Sequence, residues 1–193
     1  MNDQESKHPP KPEQTLRRTV VLVGMMGSGK TAIGRELAYR LNVPYVDSDA
    51  EIEAAANETI SEIFERSGES FFRDREAEVI ARLLQSEPCV LSTGGGAYLA
   101  ERNRTVISEQ GVAVWLDADL ELLWERVRHK DTRPLLRTAD PKKTLSEIFE
   151  QRAPVYALAD MRAEAKPEFS IYEMTDEVLQ VLATRPDVLE KKE

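Results

Sequence analysis

The octapeptide Gly24-Met25-Met26-Gly27-Ser28-Gly29-Lys30-Thr31 constrains this chain more than any other feature. It fits G-x-x-x-x-G-K-[ST], and it separates two segments of different periodicity. Before it, Val20–Val23 is a continuous apolar, mostly β-branched run, the pattern of a strand buried on both faces. After it, Ile33, Leu37 and Leu41 recur at helical spacing. A strand that turns through glycines into a helix aims backbone N–H groups and a positive helix end at one point, which suits a phosphate. In this pattern Lys30 reaches the β- and γ-phosphates of a nucleotide, and the Thr31 hydroxyl can ligate Mg²⁺. No N-K-x-D that would read guanine occurs in the chain.

The same alternation continues downstream. Val43–Val46 reads as a strand stopped by Asp47-Ser48-Asp49, and Asp49 to about Gln85 as helical with a break near Ser67-Gly68. Cys89–Thr93 reads as a strand running into Gly94-Gly95-Gly96. There follow a helix over Glu101–Glu109, a strand over Val112–Leu116, a helix over Asp119–Arg128 and a charged, proline-bearing loop over His129–Pro141. A helix over Thr144–Ala157, a short strand near Phe169–Ile171 and a helix over Met174–Ala183 complete the pattern. Strands alternating with helices predict an α/β domain with a parallel sheet covered on both faces. One such domain over residues 18–184 accounts for most of the 193 residues. Residues 1–17 read as a flexible polar tail and 185–193 as a charged tail. Gly24, Asp47 and Gly94 each follow a predicted strand, so they should share the rim where such sheets bind ligands.

Composition narrows the partners. The net charge of −9 argues against broad binding to nucleic acid or to a membrane surface. No apolar run approaches the roughly 18 residues of a membrane span, and the polar N-terminus has no apolar core of a secretory signal. A lone cysteine, Cys89, with His8 and His129 as the two histidines, speaks against disulfides and Cys/His metal sites and for a cytoplasmic protein. Within the acidic chain, Trp124–Lys143 is locally basic: Arg126, Arg128, Lys130, Arg133, Arg137, Lys142 and Lys143 outnumber Glu125, Asp131 and Asp140. That reversal suits a small, highly charged anion. Nothing suggests an extensive apolar interface, so a monomer is expected.

Asp47 and Asp49 lie two residues apart where a strand should end, and both face one side if the strand persists. One can serve Mg²⁺ and the other can take a hydroxyl proton, although Asp and Ser also cap helices. Taken with Ile52-Glu53, Gly68-Glu69, Phe72-Arg73, Glu76, Ser92-Thr93-Gly94-Gly95-Gly96, Arg133-Pro134-Leu135-Leu136, Arg152 and Tyr156, the chain resembles shikimate kinases from about Val20 to Asp160.

The resemblance implies a P-loop kinase three-layer sandwich around a five-stranded parallel sheet, with a helical substrate-binding subregion and a mobile lid over about residues 129–141. It implies transfer of the γ-phosphate of ATP to the 3-hydroxyl of shikimate, with Mg²⁺, on the route to aromatic amino acids. Gly27, Ser28, Gly29, Lys30, Thr31 and Ala32 would hold ATP, with Arg126 against adenine and Arg133 closing from the lid. Asp49, with Lys30 and Arg133, would be catalytic. Asp47 would serve Mg²⁺ through water beside Thr31. Arg73 and Arg152 would clamp the carboxylate of shikimate, and Gly95 would offer it a backbone N–H. Taken singly, each arginine reads as a solvated charge. The family's late adenine-side segment has no clear counterpart after Asp160. A gluconate or nucleoside monophosphate kinase is the nearest rival reading, and a nucleotide-binding regulator without transfer activity is a rival of another class.

Overall fold

The apolar run before the glycine-rich loop becomes the middle strand of a sheet, and the rest of the fold covers it. The computed structural model describes residues 14–129 and 134–191. Along them run β1 (Gln14–Leu16), β2 (Thr19–Val23), α1 (Lys30–Leu41), β3 (Tyr45–Asp47), α2 (Ser48–Ala56), α3 (Ile60–Leu84) and β4 (Val90–Ser92). Then come α4 (Glu101–Gln110), β5 (Gly111–Asp117), α5 (Leu120–Val127), α6 (Pro141–Tyr156), β6 (Met161–Glu164), α7 (Ile171–Leu182) and β7 (Leu189–Lys191). Short 3-10 turns occupy Ala97–Leu99 and Pro134–Leu136.

Five strands form one parallel sheet in the order β3-β4-β2-β5-β6. Every residue of β2 is buried, as its unbroken apolar run requires. Right-handed crossovers put α1 on one face, beside α7, and α3 with α4 on the other. The result is the expected three-layer sandwich. Full burial of residues such as Leu22, Leu37, Leu91 and Leu116 contributes about 1.5–3 kcal/mol each. The chain leaves β2 toward one face and leaves the adjacent β4 toward the other. The topological switch point therefore opens between these two strands at their carboxyl ends. The glycine-rich loop and the Gly94–Gly96 triplet flank that crevice, and Asp47 ends the next strand along.

The long helical stretch after Asp49 divides twice. Asn57, at a left-handed φ of 53°, ends α2, and a Thr59/Glu62 capping box opens α3. At Gly68 (φ 79°, ψ 172°) α3 kinks where the sequence predicts a break, a conformation that glycine alone adopts readily. Helix α2 packs on α3, and the pair makes the expected helical subregion beside the crevice.

Two expectations are corrected. The fifth strand is Met161–Glu164, not Phe169–Ile171. Ser170 and Glu173 form a capping box that starts α7 at Ile171, so the apolar residues there begin a helix. The true strand escapes an apolar pattern because it lies at the sheet edge: Ala163 is buried, while Arg162 and Glu164 are exposed. The boundaries at residues 18 and 184 are also too narrow. Gln14–Leu16 pairs antiparallel with Leu189–Lys191, with Leu16, Val188 and Leu189 buried beneath the ribbon. Two three-residue strands at opposite ends of the chain, Gln14–Leu16 and Leu189–Lys191, leave no periodic signal. Residues 1–13 of the expected tail lie outside the described residues.

Candidate active site

The loop from Gly24 to Gly29 owes its shape to its glycines: Gly24, Gly27 and Gly29 all have positive φ. Gly29 caps α1 by its backbone alone, without a side-chain cap and with no acidic residue in the first turn. The positive end of α1 thus faces the crevice. Lys30 Nζ folds across the loop and donates to the carbonyls of Gly24 (2.8 Å) and Met25 (3.0 Å). Ser28 points inward, its hydroxyl buried without a hydrogen-bond partner, and its N–H donates to the Met25 carbonyl at 3.2 Å. Thr31 and Ala32 are exposed at the start of α1.

Across the crevice, β3 stops at Asp47 rather than running on to Asp49. Asp47 caps α2: its Oδ1 accepts from the N–H groups of Asp49 (3.0 Å) and Ala50 (3.3 Å), a contact worth about 1 kcal/mol. The cap therefore orients Asp49, which sits in the first turn of α2 instead of on the strand. Burial pushes the Asp49 carboxyl up to about 6; the neighbouring carboxylates of Asp47, Glu76 and Glu53 add to the rise, and Arg73 opposes it.

The glycine triplet is the floor on which three separate elements meet. A Cβ on Gly94 would lie 2.9 Å from Asp49 Oδ1, one on Gly95 would lie 3.2 Å from Arg152 Nη1, and one on Gly96 would lie 2.7 Å from Arg73 Nη2. The helices α2, α6 and α3 thus each bring one predicted residue against one glycine. Two residues that had no role of their own in the sequence reading hold the arginines. Glu76, buried in α3, accepts from Arg73 Nη1 at 2.9 and 3.2 Å, and its own carboxyl is raised by burial. Tyr156, fully buried, donates from its hydroxyl to the Gly95 carbonyl at 2.5 Å and lies beside Arg152, which meets the same glycine. Their i+3 and i+4 spacing from the arginines was the available signal.

On the basic side, Arg126 Nη1 donates to the Gly27 carbonyl at 3.3 Å, which places its guanidinium against the phosphate-binding loop, and burial lowers its pKa. Arg128 is exposed and pairs with Glu125, so Arg126 is the one beside the loop. Arg133 lies outside the described residues, as does the rest of 130–133 within the expected lid. The turn after β6, Ala165–Phe169, leaves the sheet at the same rim, one strand beyond β5. Asp117 ends β5 and pairs with Arg162 at 2.5 Å; Asp119 caps α5.

Comparison with known proteins points to one family. A family model described as shikimate kinase matches residues 26–183. The chain is 67% identical over 175 residues to the shikimate kinase of Ruegeria pomeroyi, covering 91% of this chain and 90% of that protein. It is 62% identical over 178 residues to the shikimate kinase of Cereibacter sphaeroides, covering 92% and 89% respectively. Among solved structures, shikimate kinase from Acinetobacter baumannii in complex with shikimate superposes with a TM-score of 0.78 at 36% identity, over 86% of this chain and 93% of that one.

Proposed function

The chain belongs to the shikimate kinase family, and from that premise we propose how its residues divide the work of moving the γ-phosphate of ATP onto the 3-hydroxyl of shikimate. Residues Gly27–Ala32 and the positive end of α1 hold the phosphates, with Lys30 swinging from its loop carbonyls onto the β- and γ-oxygens. Arg126 flanks the nucleotide on the adenine side. Arg133 comes from the lid to stabilise the transferring charge and to help exclude water.

Asp49 takes the proton of the acceptor hydroxyl. A carboxyl raised to about 6 is still ionised at neutral pH, yet is a better base than an ordinary aspartate. Arg73 and Arg152, against Gly96 and Gly95 of the triplet, bind the acceptor's carboxylate, and the Gly95 N–H adds a contact. The Thr31 hydroxyl at the start of α1 and the Asp47 carboxylate at the end of β3 are oxygen donors of the kind that suit Mg²⁺, which is commonly held by one or two protein oxygens together with phosphates and water. Thr31, and Asp47 through water, would hold the ion, which neutralises charge on the phosphates. All these groups come from one chain, so a monomer is a complete catalytic unit. No helix among the described residues is long and apolar enough to cross a membrane, and we place the enzyme in the cytoplasm.

The observation that carries this reading is the match between three consecutive glycines and the base with two guanidinium groups. Such a set suits a carboxylated alcohol better than a nucleotide's base and phosphate, and the family match favours shikimate over gluconate, which is also a carboxylated alcohol. An ADP-release assay over shikimate, gluconate and nucleoside monophosphates, with Mg²⁺ present, should show turnover of shikimate. Turnover of another acceptor without that of shikimate refutes the reading, and ATP binding with no acceptor turned over supports the regulator instead.

A further inference from the structure

Arg73 and Arg152 flank the same loop but are held differently. Arg73 lies against two carboxylates, Glu76 at 2.9 Å and Glu69 at 3.4 Å. Among the described residues no ion pair includes Arg152; its guanidinium lies beside the Tyr156 hydroxyl, one helical turn along α6, and a Cβ on Gly95 would meet Arg152 Nη1 at 3.2 Å and that hydroxyl at 3.7 Å. That hydroxyl also donates to the Gly95 carbonyl at 2.5 Å. The Tyr156 ring is wholly buried, so water cannot replace this bond without rearrangement. A second tyrosine ties the same parts in the opposite sense: Tyr98, just past the triplet, donates to the Leu158 carbonyl just past α6, at 3.2 Å.

We propose that Tyr156 is a positioning residue for the acid-binding end of the site. Its hydroxyl accepts from Arg152 and donates to the Gly95 carbonyl, so it fixes the direction in which the guanidinium presents its remaining N–H groups. The inference rests on reading Arg152 as a carboxylate-binding group. A phenol does for Arg152 what a carboxylate does for Arg73, with one electrostatic difference. It restrains the side chain without cancelling its charge, so the full positive charge of Arg152 is offered to the acceptor. Arginine otherwise has many rotamers to lose on binding, and a guanidinium already held binds its anion more tightly. Burial raises the Tyr156 phenol above its ordinary range, which keeps the proton it donates in place across neutral pH.

The test is a double-mutant cycle with shikimate as acceptor. Tyr156→Phe keeps the buried ring and should raise the KM for shikimate about tenfold, the scale of one lost hydrogen bond to a charged group. The KM for ATP should stay within about twofold. In an Arg152→Ala background the same substitution should have no further effect on the shikimate KM. Tyr98→Phe serves as the packing control: it should lower the Tm and leave the shikimate KM within about twofold. Equal rises in both KM values, additive effects in the cycle, or a Tyr98→Phe effect as large as that of Tyr156→Phe each overturn the proposal. If Arg152→Ala raises the shikimate KM and Tyr156→Phe does not, the positioning role fails alone. If Arg152→Ala leaves it unchanged, the clamp reading fails and the positioning role falls with it.

Discussion

Asp49 can take a proton only as a carboxylate, and its site opposes that form. Burial, with Asp47, Glu76 and Glu53 nearby, holds its pKa up at about 6 against the pull of Arg73. Activity should therefore be lost as pH falls through about 6, not through the ordinary aspartate range. At pH 5 about one molecule in ten carries the ionised group, against more than nine in ten for an unperturbed aspartate. The assay is kcat/KM for shikimate from pH 4.5 to 8 at saturating ATP, with ADP measured in quenched samples; this quantity reports the enzyme before shikimate binds. The curve should bend near pH 6 and fall about tenfold per unit below it. Asp49→Asn should lose about 10²–10⁴-fold in kcat, keep its KM for ATP and flatten the bend. The same shift predicts a gain in stability. A carboxyl with a raised folded pKa favours the folded state while protonated, and this contribution disappears as pH rises through about 6. At pH 7 the ionised group is a burden that asparagine lacks; after a discount for its partial exposure, about 1 kcal/mol or a few degrees in Tm is expected. Below pH 4 the two proteins should melt alike. A bend near pH 4, or one near pH 6 that persists in Asp49→Asn, refutes the argument.

Other substitutions test other parts of the site. Gly94→Ala puts a Cβ 2.9 Å from Asp49 Oδ1. It should cut kcat by about 10²-fold through misplacement of the base while sparing the KM for ATP, and unchanged kcat would show that Asp49 tolerates displacement. Lys30→Ala should lower kcat by about 10²-fold or more with the fold intact by circular dichroism. A loss under about threefold would remove Lys30 from the phosphate-transfer machinery. Leu189→Ala, in the terminal ribbon, should cost about 2–4 kcal/mol in urea unfolding and leave both KM values unchanged, whereas a cost near zero would mean that the ribbon adds nothing to the domain.

Legibility in the sequence followed burial and locality. The β2–α1 unit was readable because both elements bury a contiguous apolar face, so their periodicities survive in the residue order. The glycine clusters were readable because close approach to a side chain or a phosphate excludes anything larger. What failed was the edge of the structure. Met161–Glu164 carries charge because one side of it has no strand to cover it, and Phe169–Ile171 looks like a strand until the Ser170 cap is weighed. The terminal ribbon depends on a pairing between the two ends of the chain, which no local window contains. At the site, the Asp47-Ser48-Asp49 spacing was read correctly as two carboxylates at the rim. Its geometry differs because Asp47 turns the chain into α2, so capping and site building are one arrangement rather than rival readings.

That arrangement also explains why the site is spread over so much sequence. A base must be shielded from water to hold a raised pKa, yet guanidinium groups close to it would lower that pKa again. The structure separates the two demands along the triplet. Asp49 rests against Gly94, while the Arg73 and Arg152 guanidinium groups rest against Gly96 and Gly95. Glu76 neutralises Arg73, which limits the pull of that arginine on Asp49 and leaves the base raised. Arg152 arrives from α6 beside a phenol rather than a carboxylate, so its charge remains for an incoming anion. Glycine at all three positions lets side chains from α2, α3 and α6 approach one stretch of backbone. A single Cβ there would force one of them away from the crevice that Asp49, the two guanidinium groups and the glycine-rich loop share.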